Sequence, residues 1–121
     1  MKTPVIIGIT PFEQPDVNLA LSLADAKAFS VLHLGRDKAA AVLALAHLAQ
    51  ICPDEFGVCL NSEGLKDIVL PEKVAIVIVP YGLKFKRINA VKLLDQVHNI
   101  EEAVKASAEA ADGIIVKGNE A

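Results

Sequence analysis

The sequence is poor in aromatic residues and in positive charge. It has no tryptophan, one tyrosine and four phenylalanines, and its 12 lysines and arginines are outnumbered by 15 aspartates and glutamates. Nucleic-acid-binding surfaces need a positive field and, for single strands, aromatic side chains on which bases stack. Neither is present, so nucleic acid and anionic membrane surfaces are not expected as partners.

Cysteine is scarce as well. Cys52 and Cys59 form no Cys-x-x-Cys motif and lie in apolar sequence, which predicts two buried thiols rather than a disulfide or a metal pair. No apolar run approaches the ~20 residues of a membrane-spanning helix, and the opening MKTPVIIGITPF lacks the form of a signal peptide. We therefore expect a cytoplasmic protein without a metal site.

Apolar sequence is abundant: 53% of the 121 residues are hydrophobic. This length and composition predict a single domain, residues 1–121, with a sizeable core. Short runs rich in valine and isoleucine show little alternation, which is typical of strands buried on both faces of a parallel sheet. These runs are residues 5–9, 30–34, 56–60, 74–79, 91–97 and 113–116.

Segments with helical spacing separate most of these runs. Asp37 is a predicted N-cap for a helix whose inward face includes Leu43 and His47. Asn99, followed three residues later by Glu102, is a capping-box pattern, and the helix it starts is predicted to turn Val104 inward. The element order fits two α/β architectures, a partial TIM-like barrel of about six parallel strands or an open doubly wound sheet.

The turn after the first run argues against a dinucleotide-binding domain. It reads GITPF, with proline where the dinucleotide fingerprint requires glycine. In an incomplete barrel, the two outer strands are unpaired. We therefore expect self-association through these edge strands, or association with the rest of a larger polypeptide.

Several residues match the pattern D-x-I-I-x-x-G-x-E-A as they stand: Asp112, Ile114, Ile115, Gly118, Glu120 and Ala121. This segment resembles the nitronate monooxygenase (2-nitropropane dioxygenase) family of flavin barrels, and GITPF and FSVLHLG fall at the family's first two strands. The segments GITPFEQPD and VKGNEA are more similar to the flavin-barrel-like domain at the N-terminus of some large polyketide and polyunsaturated fatty acid synthases. The resemblance implies a (β/α) barrel that holds FMN when complete.

The chain also departs from this family. The family's catalytic histidine and its last two strands, whose loops hold the flavin phosphate, follow the segment that matches Ala121, and Lys117 stands where the enzymes usually have glutamine. The resemblance therefore implies an N-terminal fragment of a barrel domain from a multidomain synthase. It is expected to be structural or associative, not catalytic alone, and without a bound cofactor.

Parallel sheets bind ligands at the carboxyl ends of their strands, and several residues are predicted to lie there. His33 and Lys117 are the catalytic candidates. The residues expected near a flavin are Thr10, Gly35, Lys117, Gly118 and Glu120. The alternatives without a functional role are a packed interior histidine at position 33 and a solvent-exposed chain terminus at position 117.

Two further functions stay open. One is a small FMN-dependent oxidoreductase, with the flavin held by backbone groups after Gly8, Gly35 and Gly118. The other is a free-standing α/β ligand-binding domain.

The pair Asp95 and Gln96, in a predicted buried strand, is either a hydrogen-bonded core pair or part of a site.

Overall fold

The structure is a computed structural model that describes residues 6–11, 14–60, 62–65, 67–83, 85, 91–107 and 112–116. Strands and helices alternate over most of this length. In chain order they are β1 (Ile7–Ile9), α1 (Val17–Asp25), β2 (Phe29–His33), α2 (Lys38–Ile51), β3 (Phe56–Cys59), β4 (Val74–Pro80), β5 (Lys92–Val97), α3 (Ile100–Ser107) and β6 (Gly113–Val116). A short 3-10 turn, Glu63–Leu65, lies between β3 and β4. Each of the six predicted strands is present.

All six strands are parallel, and they lie in the sheet in the order in which they occur in the chain, β1-β2-β3-β4-β5-β6. The sheet is curled into a half-barrel. A doubly wound sheet instead reverses its strand order at a switch point near its middle. The partial barrel is therefore confirmed, and the alternative of an open doubly wound sheet is wrong.

The convex face of the sheet packs against the helices. Leu32 of β2, Leu34 just after it and Val58 of β3 form one core with residues of α2. The members contributed by α2 are Ala41, Ala44, Leu45 and Leu48.

The concave face has a smaller core of its own. Val31, Cys59, Ile76 and Ile78, from three neighbouring strands, pack together on the inside of the curl. Because the sheet is buried on both faces, its central strands carry apolar residues at successive positions. This is the physical reason why the runs could be recognised in the sequence.

Two N-caps confirm the predicted helix starts. The Asp37 carboxylate accepts hydrogen bonds from the N–H groups of Ala39 and Ala40, at 3.0 and 3.4 Å. The Asn99 side chain accepts a bond from the Glu102 N–H at 2.9 Å. The Glu102 carboxylate accepts one from the backbone N–H of His98, the residue before the cap, at 2.8 Å.

Several residues predicted on inward helix faces are exposed, among them Ile51 at the end of α2. In α2, Leu43 and His47 point to solvent. The side of this helix that packs on the sheet is the one that carries Ala41, Ala44, Leu45 and Leu48. This helix is apolar nearly all round, so periodicity does not identify its inner face. In α3, Ala106 is buried, whereas Val104 is exposed.

Among the residues that the structure describes, no helix is both long and apolar enough to cross a membrane.

Candidate functional site

The carboxyl ends of β2 and β3 bring a histidine and a cysteine together. His33 and Cys59 are paired positions in the parallel ladder, and each is two residues after a position on the concave face. Both side chains are therefore on that face, where they are largely buried. Gln96 of β5 lies on the same face, paired with Pro80 at the end of β4. This group of polar side chains is at the end of the sheet where barrels place their sites.

The imidazole of His33 is held by the loop that follows its strand. Its Nδ1 accepts a hydrogen bond from the Gly35 N–H at 3.2 Å. Gly35 adopts a left-handed conformation, with φ of 69°, which turns the chain back toward the ring. A ring nitrogen that accepts a hydrogen bond carries no hydrogen, so the neutral imidazole is protonated at Nε2. His33 is thus an interior histidine of fixed orientation, and its catalytic role stays a prediction.

Thr10 closes the ladder between β1 and β2. Its backbone N–H donates to the Val31 carbonyl at 3.0 Å. Its hydroxyl oxygen accepts a hydrogen bond from the backbone N–H of His33 at 2.9 Å, and the residue is buried. The hydroxyl therefore supplies an acceptor at the point where β1 ends. Thr10 positions the strand that carries His33, and its predicted contact with a flavin stays a prediction.

The polar pair in β5 is divided between the two faces of the sheet. Asp95 pairs with Val79, whose side chain belongs to the core beneath the helices, so its buried carboxylate is on the convex side. Gln96, the next residue, is on the concave side. Of the two residues, Gln96 therefore shares a face with His33, while Asp95 belongs to the helix-packed layer.

The remaining predicted site residues, Lys117, Gly118 and Glu120, lie outside the described residues, so their roles stay predictions. No sequence pattern marks Cys59 as a neighbour of His33. Alternation within each strand indicates which face a residue occupies. Only the register between the strands, which the sequence does not contain, shows that these two positions are adjacent.

A second concavity lies on the outside of the helix layer. It has a volume of about 430 Å³ and is lined by residues at the start of α1, including Asp16, and by His47 of α2. It is a shallow surface cleft, and the Asp16 side chain is already used as the N-cap of α1, where it accepts from the Leu19 N–H at 2.9 Å. Within the described part of the chain, no three histidine, cysteine or carboxylate side chains are grouped to hold a metal ion.

Comparisons of this chain with protein families, with curated proteins and with solved structures found no match.

Proposed function

We propose that this chain is the N-terminal portion of a nitronate-monooxygenase-like barrel domain, of the type found in multidomain polyketide and fatty acid synthases. Its role is structural and associative, and it does not catalyse a reaction alone. The observation that carries the proposal is a curled sheet of six parallel strands in chain order. TIM-type barrels have eight parallel strands, so such a sheet supplies six of them.

The backbone of β1 supports an associative role. The Thr10 N–H is directed at β2, where it bonds Val31. Because backbone groups of successive residues in a strand point to opposite sides, those of Ile7 and Ile9 are directed away from the sheet. They form a row of donors and acceptors to which a further strand can add.

The same geometry holds at β6. The Asp112 N–H donates to the Leu93 carbonyl of β5 at 2.8 Å. The Gln96 carbonyl accepts from the Tyr81 N–H and so faces β4, which turns the backbone groups of Asp95 toward β6. Because Asp95 is opposite Ile114, its bonds are made to Gly113 and Ile115, and the backbone groups of Ile114 and Val116 are directed away from the sheet. Both outer strands therefore offer polar backbone to a partner, which is a second copy or the rest of a larger polypeptide.

A second candidate function is FMN-dependent oxidoreduction, and the observation that favours it is the placement of His33. Its ring lies on the concave face at the carboxyl end of β2, beside Cys59 and on the face that also holds Gln96. The bond from the Gly35 N–H to its Nδ1 fixes the orientation of the ring at the strand end. Phosphate sites of barrels, however, are built by the loops after strands seven and eight, and the described residues contain six strands.

An FMN titration of the purified chain separates these two functions. The structural role predicts no saturable change in flavin fluorescence on addition of protein, at concentrations well above those of flavin. The oxidoreductase function predicts saturable binding that is weakened in His33→Gln. The matched control is His98→Gln, which should leave binding unchanged because this imidazole is exposed just before α3. Saturable binding with this pattern would overturn the structural role.

A further inference from the structure

Strand β6 has two exposed apolar side chains on its convex face, Ile114 and Val116. Along one register row of that face, Leu34, Leu60 and Val79 are buried, whereas the next apolar position, Ile114, is 39% exposed. Val116, which pairs with the buried Val97 of β5, is 73% exposed. At every earlier position of the row, the helix layer covers the sheet. The fold therefore leaves at β6 an apolar surface of the kind that a helix covers elsewhere.

The neighbouring helix α3 has an exposed apolar stripe of its own. α3 packs on β5 and β6, with Ala106 buried against them. Ile100 and Val104 are 82% and 62% exposed. They are four residues apart, so they lie one above the other on one side of the helix. Exposed apolar side chains of the sheet and of α3 thus occur at the same end of the molecule.

From these features we infer that β6 and α3 form a two-fold interface with a second copy of this chain. The partner's β6 adds antiparallel to β6, and the two α3 helices pack antiparallel against each other above the extended sheet. A two-fold axis beside Ile115 pairs the outward backbone groups of Ile114 with those of Val116 of the second copy, and the reverse. This deepens the associative role proposed above, on which it rests, by naming one edge, one partner and one symmetry.

Charge at the surface of α3 fits the antiparallel arrangement. Glu101 and Lys105 are both exposed and lie one residue beyond Ile100 and Val104. When two such helices run in opposite directions, Glu101 of one copy lies opposite Lys105 of the other, and the reverse. A parallel arrangement would instead place like charges together.

The other edge does not have these features. On the convex side of β1, Gly8 faces Leu23 of α1, and a side chain at position 8 would overlap it. Helix α1 therefore already covers that strand. Pairing of β6 with β1 of a second copy would extend the sheet but would bring no helix over Ile114 and Val116. The exposed apolar side chains consequently favour the β6–β6 pairing.

Sedimentation velocity over a range of protein concentrations tests this inference. The expected result is a monomer–dimer equilibrium with no larger species. Val104→Asp and Val116→Asp are each expected to weaken the dimer by about tenfold or more, because a charge replaces an apolar side chain at both copies of the interface. Leu43→Asp, on α2, is the matched control, since Leu43 is 73% exposed but remote from β6.

Exchange of the charges at Glu101 and Lys105 of α3 is an independent test of the dimer. Glu101→Lys is expected to weaken the dimer, and Glu101→Lys combined with Lys105→Glu to restore it. Ile9→Lys, at the β1 edge, is expected to leave it unchanged. A monomer at every concentration, species that grow beyond a dimer, or dissociation caused by Ile9→Lys and not by Val104→Asp would each overturn the inference. The flavin titration is independent of these results, so a failure of the dimer is distinguishable from a failure of the proposed function.

Discussion

Replacing Thr10 with valine removes the acceptor of the hydrogen bond that the His33 N–H makes at the end of the β1–β2 ladder. Valine has nearly the same shape as threonine, so no cavity is created. The His33 N–H is left buried and unpaired, which costs about 1–3 kcal/mol. For a chain of this length, that corresponds to a fall in Tm of roughly 3–5 °C for each kcal/mol. Thr10→Ser keeps the acceptor and loses one methyl group, worth about 0.8 kcal/mol.

The free energy of unfolding is measured by urea denaturation, followed by far-UV circular dichroism because the chain has no tryptophan. Amide hydrogen exchange at His33 provides the local readout, and it separates the two variants. Exchange is expected to accelerate in Thr10→Val and to stay slow in Thr10→Ser. If Thr10→Val unfolds within about 0.5 kcal/mol of the parent protein and its His33 amide stays protected, the reasoning about the ladder end is refuted.

Two further predictions concern the helices, and both are measured by urea denaturation. Asp37→Ala removes the side chain that accepts from Ala39 and Ala40 and is expected to lower the free energy of unfolding by about 1 kcal/mol. Asp37→Asn keeps an acceptor and should recover most of this stability. Equal losses in both variants would contradict the capping role. Lys27→Gly is expected to stabilise the protein by roughly 0.5–1 kcal/mol, because Lys27 follows the C-cap of α1 in a left-handed conformation, with φ of 70°, that favours glycine. Lys27→Ala should bring no such gain. A loss of stability in Lys27→Gly would contradict this reasoning.

Much of the fold could be predicted because it depends on local pattern. Strands buried on both faces have continuous apolar runs, and helix starts have capping side chains such as Asp37 and Asn99. The order of strands across the sheet was left open, since a βα repeat fits both a barrel and an open sheet. Long-range pairing decides between them, and the sequence alone does not encode it in any local signal.

The candidate site was harder to predict for the same reason. His33 could be assigned to the end of a strand from its position in VLHLG. Its neighbour Cys59 is brought to it by register, and the separation of Asp95 from Gln96 follows from strand alternation in the folded sheet. The inner face of α2 was wrongly predicted because alanine and leucine surround that helix, so only the contact with the sheet identifies it.

Amide hydrogen exchange along β1 tests the central claim, that the sheet is an open arc with an uncovered edge, most directly. An open edge predicts alternating protection. Exchange should be slow at Gly8 and Thr10, whose N–H groups face β2, and fast at Ile7 and Ile9, whose N–H groups face away. The pattern should persist at protein concentrations that dimerise the chain through β6. Slow exchange at all four amides would mean that another strand covers β1 and that the sheet is not an open arc.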